Sequence, residues 1–324
     1  MRQTRKLSKL RKIGIILASL IIILSLILWG GASYLVDFAL SPVRSANFAT
    51  DSWNRQYENY PGMKEWHNSL MSTRTLRDTF IISNDDTKLH AYYIKASCPT
   101  PKVAVLIHGY TDNAISMMML GKMYEREFGC NVFLPDLRYA GLSEGTHIGM
   151  GWKDSQDVAQ WIRTLPTHFG DSLSVVVHGI SMGAATTMML SGMKDVPHVV
   201  AYIEDCGYTD VWSQFSKELQ EDFNLPTFPL LHIASWICDI KYGWNFTEAS
   251  SIAQVAKCQR PMLFIHGDSD KYVPTEMVYP LYETHPGEKE LWIVSQTEHA
   301  LSFKNHPSEY TQHVRNFLGK HAKW

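Results

Sequence analysis

The sequence predicts an α/β domain, a mostly parallel sheet covered by helices on both faces, preceded by one membrane-spanning helix. Three observations carry this reading. Short runs such as Val103-Ala104-Val105-Leu106-Ile107 are apolar at every position, as strands buried on both faces must be. Longer stretches with helical periodicity, such as Trp152 to His168, separate them. From Ile13 to Val36 there is no charged residue.

The apolar stretch comes first. As a helix it would be about 36 Å long, enough to cross the hydrocarbon core with some tilt. Arg2, Arg5, Lys6, Lys9, Arg11 and Lys12 precede it and Asp37 follows it. The positive-inside rule therefore predicts a cytoplasmic head (1–12), a span (13–36) and a domain outside the cell membrane. Gly30 and Ala32 offer a small-x-small cleavage site, but the apolar run exceeds that of a cleaved signal peptide, so an uncleaved anchor is expected. Without the six basic residues, 24 of the 30 Lys and Arg remain against 32 Asp and Glu, a net of −8. A surface of that sign does not recruit nucleic acid. The five cysteines show no metal-like spacing, and their odd number implies no closed disulfide framework.

Residues 37–77 read as a stalk with one or two short helices; because the domain beyond it has its own buried sheet and no second long apolar run, a cut near Ser41 is expected to release a soluble, active protein. Residues 78–95 alternate on both sides of Asn84-Asp85-Asp86 and predict a β-hairpin. Strands are then expected at Val103–Ile107, Asn131–Leu134, Leu173–Ile180, Val199–Glu204, Met262–Ile265 and Glu290–Val294. Helices are expected at Ala114–Phe128, Trp152–His168, Thr186–Met193, Thr275–Thr284 and Ser308–Leu318. Residues 210–257 break the alternation. They carry no strand pattern but many large aromatics, and predict a small cap of two or three helices over the strand ends.

One junction carries chemistry. Strand, then Gly179-x-Ser181-x-Gly183, then helix is the context of a nucleophile elbow, in which small residues leave a serine hydroxyl projecting above the sheet. A serine needs a base, itself oriented by a carboxylate. Downstream, Met262–Ile265 runs into His266-Gly267-Asp268-Ser269-Asp270, and Glu290–Val294 runs into Ser295-Gln296-Thr297-Glu298-His299. With these residues in the order serine, acid, histidine, the chain from about Thr79 resembles the α/β-hydrolase superfamily, and within it membrane-anchored bacterial esterases and lysophospholipase-like proteins. The resemblance implies the α/β-hydrolase fold, Ser181 as nucleophile, His299 as base and Asp270 as the acid of an H-G-x-x-D stretch. Asp268 is the rival acid, expected to cap the turn instead, and Asp205 lies one strand too early. The oxyanion hole is expected from the backbone N–H groups of Met182 and of Tyr110 in His108-Gly109-Tyr110. Asp136-Leu137-Arg138 and Gly141-x-Ser143-x-Gly145 match a loop-stabilising stretch. Glu204 to Tyr208 borders the pocket, and Trp212 and Phe215 of the cap are expected to contact substrate.

The implied reaction is hydrolysis of a small or lipid-like acyl ester through an acyl-enzyme, with no cofactor and no metal. Gly-Ile-Ser-Met-Gly departs from the G-x-S-Y-G-G of prolyl-oligopeptidase-type peptidases, which ranks esterase above peptidase. An acyl thioesterase would look the same. A silent, membrane-tethered binding protein on this scaffold is the non-enzymatic reading, and its mark would be a broken triad. Neither G-x-G-x-x-G after a strand nor H-E-x-x-H is present, which leaves dinucleotide and zinc-peptidase chemistry without a motif.

Overall fold

The computed structural model describes residues 2–322 and 324, with the side chains of the first helix described from Leu10 onward. The side chains of Arg2, Arg5, Lys6 and Lys9 in the basic head thus lie outside the described residues. Helix α1 (Arg2–Leu40) is continuous, and its Leu10–Leu40 portion is long and apolar enough to cross a membrane. From Leu10 to Ile27 every side chain is exposed. Helices α2 (Phe48–Asn59) and α3 (Met63–Ser72) follow, then strands β1 (Leu76–Ile82), β2 (Lys88–Ile94) and β3 (Lys102–Ile107). The order continues α4 (Met118–Phe128), β4 (Asn131–Pro135), α5 (Trp152–Phe169), β5 (Ser174–Ile180), α6 (Met182–Ser191) and β6 (Val199–Asp205). Three helices interrupt the alternation: α7 (Val211–Glu221), α8 (Thr227–Tyr242) and α9 (Ser251–Val255). Then come β7 (Met262–Gly267), α10 (Val278–Thr284), β8 (Lys289–Val294), α11 (Ser302–Asn305) and α12 (Pro307–Phe317).

The strands form one sheet in the order β1-β2-β4-β3-β5-β6-β7-β8. The β1–β2 hairpin is antiparallel and β2 joins β4 antiparallel, while all pairs from β4 to β8 are parallel. Alternate strand residues point to opposite faces. Val103, Val105, Ile107, Val175 and Val177 enter one apolar layer with α5, α6 and the cap. Ala104, Leu106 and Val176 enter the other, with α3, α4 and α12.

Residues 37–77 contain the short helices α2 and α3, and α3 packs into the domain: Met63, Trp66 and Leu70 are buried in the second layer and Trp66 Nε1 donates to Glu125 Oε2 at 3.2 Å. The end of α1 is packed against the domain at Ser41. Ala32, Val36 and Leu40 are fully buried, and α1 packs along α8. Leu40 O also accepts from Ile148 N at 2.7 Å, so the end of α1 is built into the domain.

Candidate active site

Only one residue separates β5 from α6, and that residue is Ser181, at φ 58° and ψ −121°. A side chain held there is strained, and the strain persists only where packing dictates it. Here packing leaves no choice. A Cβ at Gly179 would lie 2.0 Å from Gly183 O, and one at Gly183 would lie 2.0 Å from Ile107 O. The turn is pinned from both sides, since Ser181 N donates to Asp205 O (2.8 Å) and Ala185 N to Ser181 O (3.0 Å).

The loops after β7 and β8 bring the partners in. His299 Nε2 lies 2.8 Å from Ser181 Oγ, and His299 Nδ1 lies 2.7 Å from Asp270 Oδ2. Asp270 Oδ1 accepts from Tyr272 N (3.0 Å) and Val273 N (2.9 Å). His266 Nε2 stands 3.3 Å from Asp270 Oδ2. Burial alone would raise the Asp270 carboxyl, but the hydrogen bonds of His266 and His299 outweigh it and hold the group at about 2. It is therefore a carboxylate at neutral pH, and it favours the tautomer with a proton on Nδ1 and a lone pair on Nε2 facing the serine. Asp268 is exposed and accepts from Ser269 Oγ (2.9 Å) and Thr297 N (3.4 Å), a turn-capping position away from His299. Asp205 lies beneath the site, where Ser302 Oγ and Tyr310 OH each donate to it at 3.0 Å. Burial raises it to about 6, and likewise raises its neighbour Glu204 to about 8.

Met182 opens α6 directly after the serine, so its N–H lies at the positive end of that helix. Gly109 packs on the elbow: a Cβ there would touch Ser181 Cβ at 3.5 Å, which places the His108-Gly109-Tyr110 loop against the nucleophile. Among the described residues, neither Met182 N nor Tyr110 N donates to another backbone carbonyl in the turns and loops. The Tyr110 hydroxyl donates to Ala39 O at 2.7 Å, tying this loop to the last turn of α1.

Phe215 borders both the narrow cleft at Ser181, about 20 Å³, and a larger apolar cavity of about 570 Å³. Trp212 borders neither. It sits one turn nearer the start of α7, where its ring packs edge-on against His232 of α8 at 4.8 Å. Glu218 and Tyr272 line both spaces and are absent from the sequence reading. Their sequence positions carried a faint sign, since Glu218 follows Phe215 by three residues on one helix face and Tyr272 follows Asp270 by two. Leu35, Val36 and Ala39 of α1 also line the large cavity, and nothing in the apolar stretch of that helix distinguishes them.

The remaining motif residues hold loops. Asp136 accepts from Ala114 N (2.8 Å) and Leu142 N (2.9 Å), and Arg138 makes two 2.8 Å bonds to Asp157. His108 Nε2 accepts from Leu137 N at 3.0 Å. Cys206, Asp270 and His299 have ligand atoms within 4.8 Å of one another, a spacing that suits a metal. Both nitrogens of His299 are already engaged, and burial pushes the Cys206 thiol well above its ordinary range, so the trio fits a hydrogen-bonded site better than a metal centre.

Comparison with known proteins agrees with this geometry. A model of the prolyl oligopeptidase family matches residues 147–324, although the elbow lacks the tyrosine and second glycine expected of such peptidases. The chain is 30% identical over 226 residues to the uncharacterized protein YqkD of Bacillus subtilis, covering 70% of this chain and 74% of that one. Among solved structures, the esterase Pf2001 of Pyrococcus furiosus superposes with a TM-score of 0.63 at 22% identity, covering 78% of this chain and 95% of the esterase. The acylaminoacyl peptidase of Pyrococcus horikoshii gives 0.57 at 18%, covering 78% of this chain and 43% of the peptidase. With a family match over more than half its length, this chain belongs to the prolyl oligopeptidase family within the α/β-hydrolase superfamily, and it is a serine hydrolase.

Proposed function

We propose that the protein hydrolyses carboxylic esters of apolar acyl groups, using Ser181, His299 and Asp270. In the first half-reaction His299 Nε2 takes the hydroxyl proton as Ser181 Oγ attacks the acyl carbon. The oxyanion is held by the N–H groups of Met182 and Tyr110, and the alcohol leaves with the proton from His299. In the second, His299 deprotonates a water that attacks the acyl-serine, and the acid departs as the proton returns to Ser181. The observation that carries the ester reading is the apolar cavity that shares Tyr110, Phe215, Glu218 and Tyr272 with the cleft at Ser181. The resemblance in fold to an esterase supports it.

A peptidase reading is supported by the family itself and by Glu218, a carboxylate facing the cleft that suits a substrate's protonated amine. A panel of p-nitrophenyl esters run beside aminoacyl-nitroanilides separates the two. Turnover of esters, abolished in Ser181→Ala, is expected; faster turnover of the anilides would move the assignment to peptidase. The basic head and the Ile13–Val36 span further support a domain facing the outside of the cell. External protease should then digest it on intact cells, and protection until lysis would reverse the orientation.

A further inference from the structure

The large cavity lies between the anchor and the cap. Leu35, Val36 and Ala39 of α1 form one side, and Leu219, Phe223 and Leu230 of the cap form the other. The inner end is bounded by the residues that also bound the cleft at Ser181. We propose that the last turns of the anchor helix are a wall of the acyl site, and that the substrate is an acyl ester drawn sideways from the bilayer between α1 and α8. This deepens the ester-hydrolase reading and rests on it.

The level of the cavity relative to the membrane follows from the packing of the two helices. A Cβ at Gly31 would meet Leu230 Cδ2 at 4.0 Å; further along, Asp37 pairs with Lys241, and Ser41 Oγ lies 3.2 Å from Tyr242 OH. Helix α8 therefore runs parallel to the end of α1, with its start level with Gly31. That point is six residues before Asp37, about 9 Å toward the bilayer at the helical rise. Since Asp37 is the first charge after the span, the beginning of α8 stands at the depth of hydrocarbon rather than of water. Its outward residues agree, for Phe228, Trp236 and Ile240 are 73%, 64% and 76% exposed. Phe223 of the preceding loop packs edge-on against Phe38 of the anchor at 5.6 Å. Large apolar side chains this exposed beside a span mark contact with lipid.

The cavity's chemistry selects the occupant. A volume of about 570 Å³ suits a drug-sized apolar group. An extended peptide would bring an N–H and a C=O per residue against leucine, valine, alanine and phenylalanine, leaving them unpaired. An acyl chain has no such groups. Three carboxylates also border the space: Asp37 is paired with Lys241, Glu218 accepts from Gln214 at 2.9 Å, and Asp222 is exposed to solvent. The cleft at Ser181 is now water-sized, so the chain passes only when a bordering side chain turns. Tyr272, 44% exposed, borders both spaces and is the side chain whose movement would join them.

The test uses the full-length protein in phosphatidylcholine nanodiscs and a single-chain fluorophosphonate whose long alkyl tail ends in a diazirine. The serine oxygen displaces fluoride from phosphorus, and irradiation then inserts the tail into whatever surrounds it. Cross-links from the Ser181 adduct to Leu35–Ala39 and to α7 or α8 are expected. An adduct on Ser181 whose tail cross-links elsewhere overturns the acyl wall alone; failure to modify Ser181 overturns the hydrolase reading as well. Leu35→Trp and Leu230→Trp fill the space from opposite sides. In each, the turnover ratio of a palmitoyl to a butyryl p-nitrophenyl ester should fall about tenfold. A ratio no lower than wild type in both variants overturns the proposal.

Discussion

Replacing Asp270 by asparagine tests the site most sharply, because the two carboxylate oxygens do different work. One accepts two backbone N–H groups, of Tyr272 and Val273, and the other faces His299 Nδ1 at 2.7 Å and His266 Nε2 at 3.3 Å. An amide has a single oxygen, and the two backbone donors claim it. The NH₂ group then faces His299, which must turn a lone pair on Nδ1 toward it and carry its proton on Nε2. That nitrogen would donate to Ser181 Oγ instead of accepting from it, and the base is lost. The corresponding substitution in serine proteases lowers kcat by about 10⁴, which at 1.36 kcal/mol per decade is about 5.4 kcal/mol. A loss of that order is expected for Asp270→Asn, measured as kcat on a short p-nitrophenyl ester. Unchanged circular dichroism would show that the fold is kept. Asp268→Asn, at an exposed turn, should change kcat little. Near-wild-type turnover in Asp270→Asn, or an equal loss in Asp268→Asn, would refute the reasoning.

Three further outcomes follow from the same packing. Gly183→Ala sets a methyl group 2.0 Å from Ile107 O, against backbone that cannot yield, and should cost roughly 3 kcal/mol or abolish folding in thermal melts. Truncation at Ser41 uncovers the face of α8 that buries Val36 and Leu40. At about 1.5–3 kcal/mol for each side chain, the released domain should melt lower and aggregate in size-exclusion chromatography; a monodisperse fragment of unchanged melting temperature would contradict this. Burial raises Asp205 to about 6, Asp154 to about 7 and Glu204 to about 8, so the folded state holds protons that the unfolded chain releases above its ordinary carboxyl range. Stability is full below that range and is lost as pH rises toward 8, and Glu204→Gln should flatten the upper part of a melting-temperature profile from pH 5 to 8.

Much of the site was legible because its rules are local. The elbow needs small residues on either side of a strained serine, and those glycines stand at fixed offsets in the chain. The acid and the histidine each follow an apolar strand, so their order could be read along with the sheet. Choosing between Asp268 and Asp270 could not be finished that way, because both occupy one turn and only its folded shape turns one carboxylate toward His299 and the other to solvent. Trp212 illustrates another limit: its aromatic bulk suggested a pocket, and only the fold shows that its ring packs on His232 of a neighbouring helix.

By itself the sequence determined the parallel sheet, the elbow and the presence of one long apolar helix, since steric crowding, two-faced burial and helix length are written in neighbouring residues. Tertiary structure alone decided that α3 is part of the core, that Glu218 and Tyr272 border the nucleophile, and that the long N-terminal helix joins the cap around a cavity. The last of these had no trace in sequence for a physical reason. Exposed and buried parts of this helix are equally apolar, Leu10–Ile27 lying outside the core and Ala32, Val36 and Leu40 inside it, so composition does not mark where packing begins.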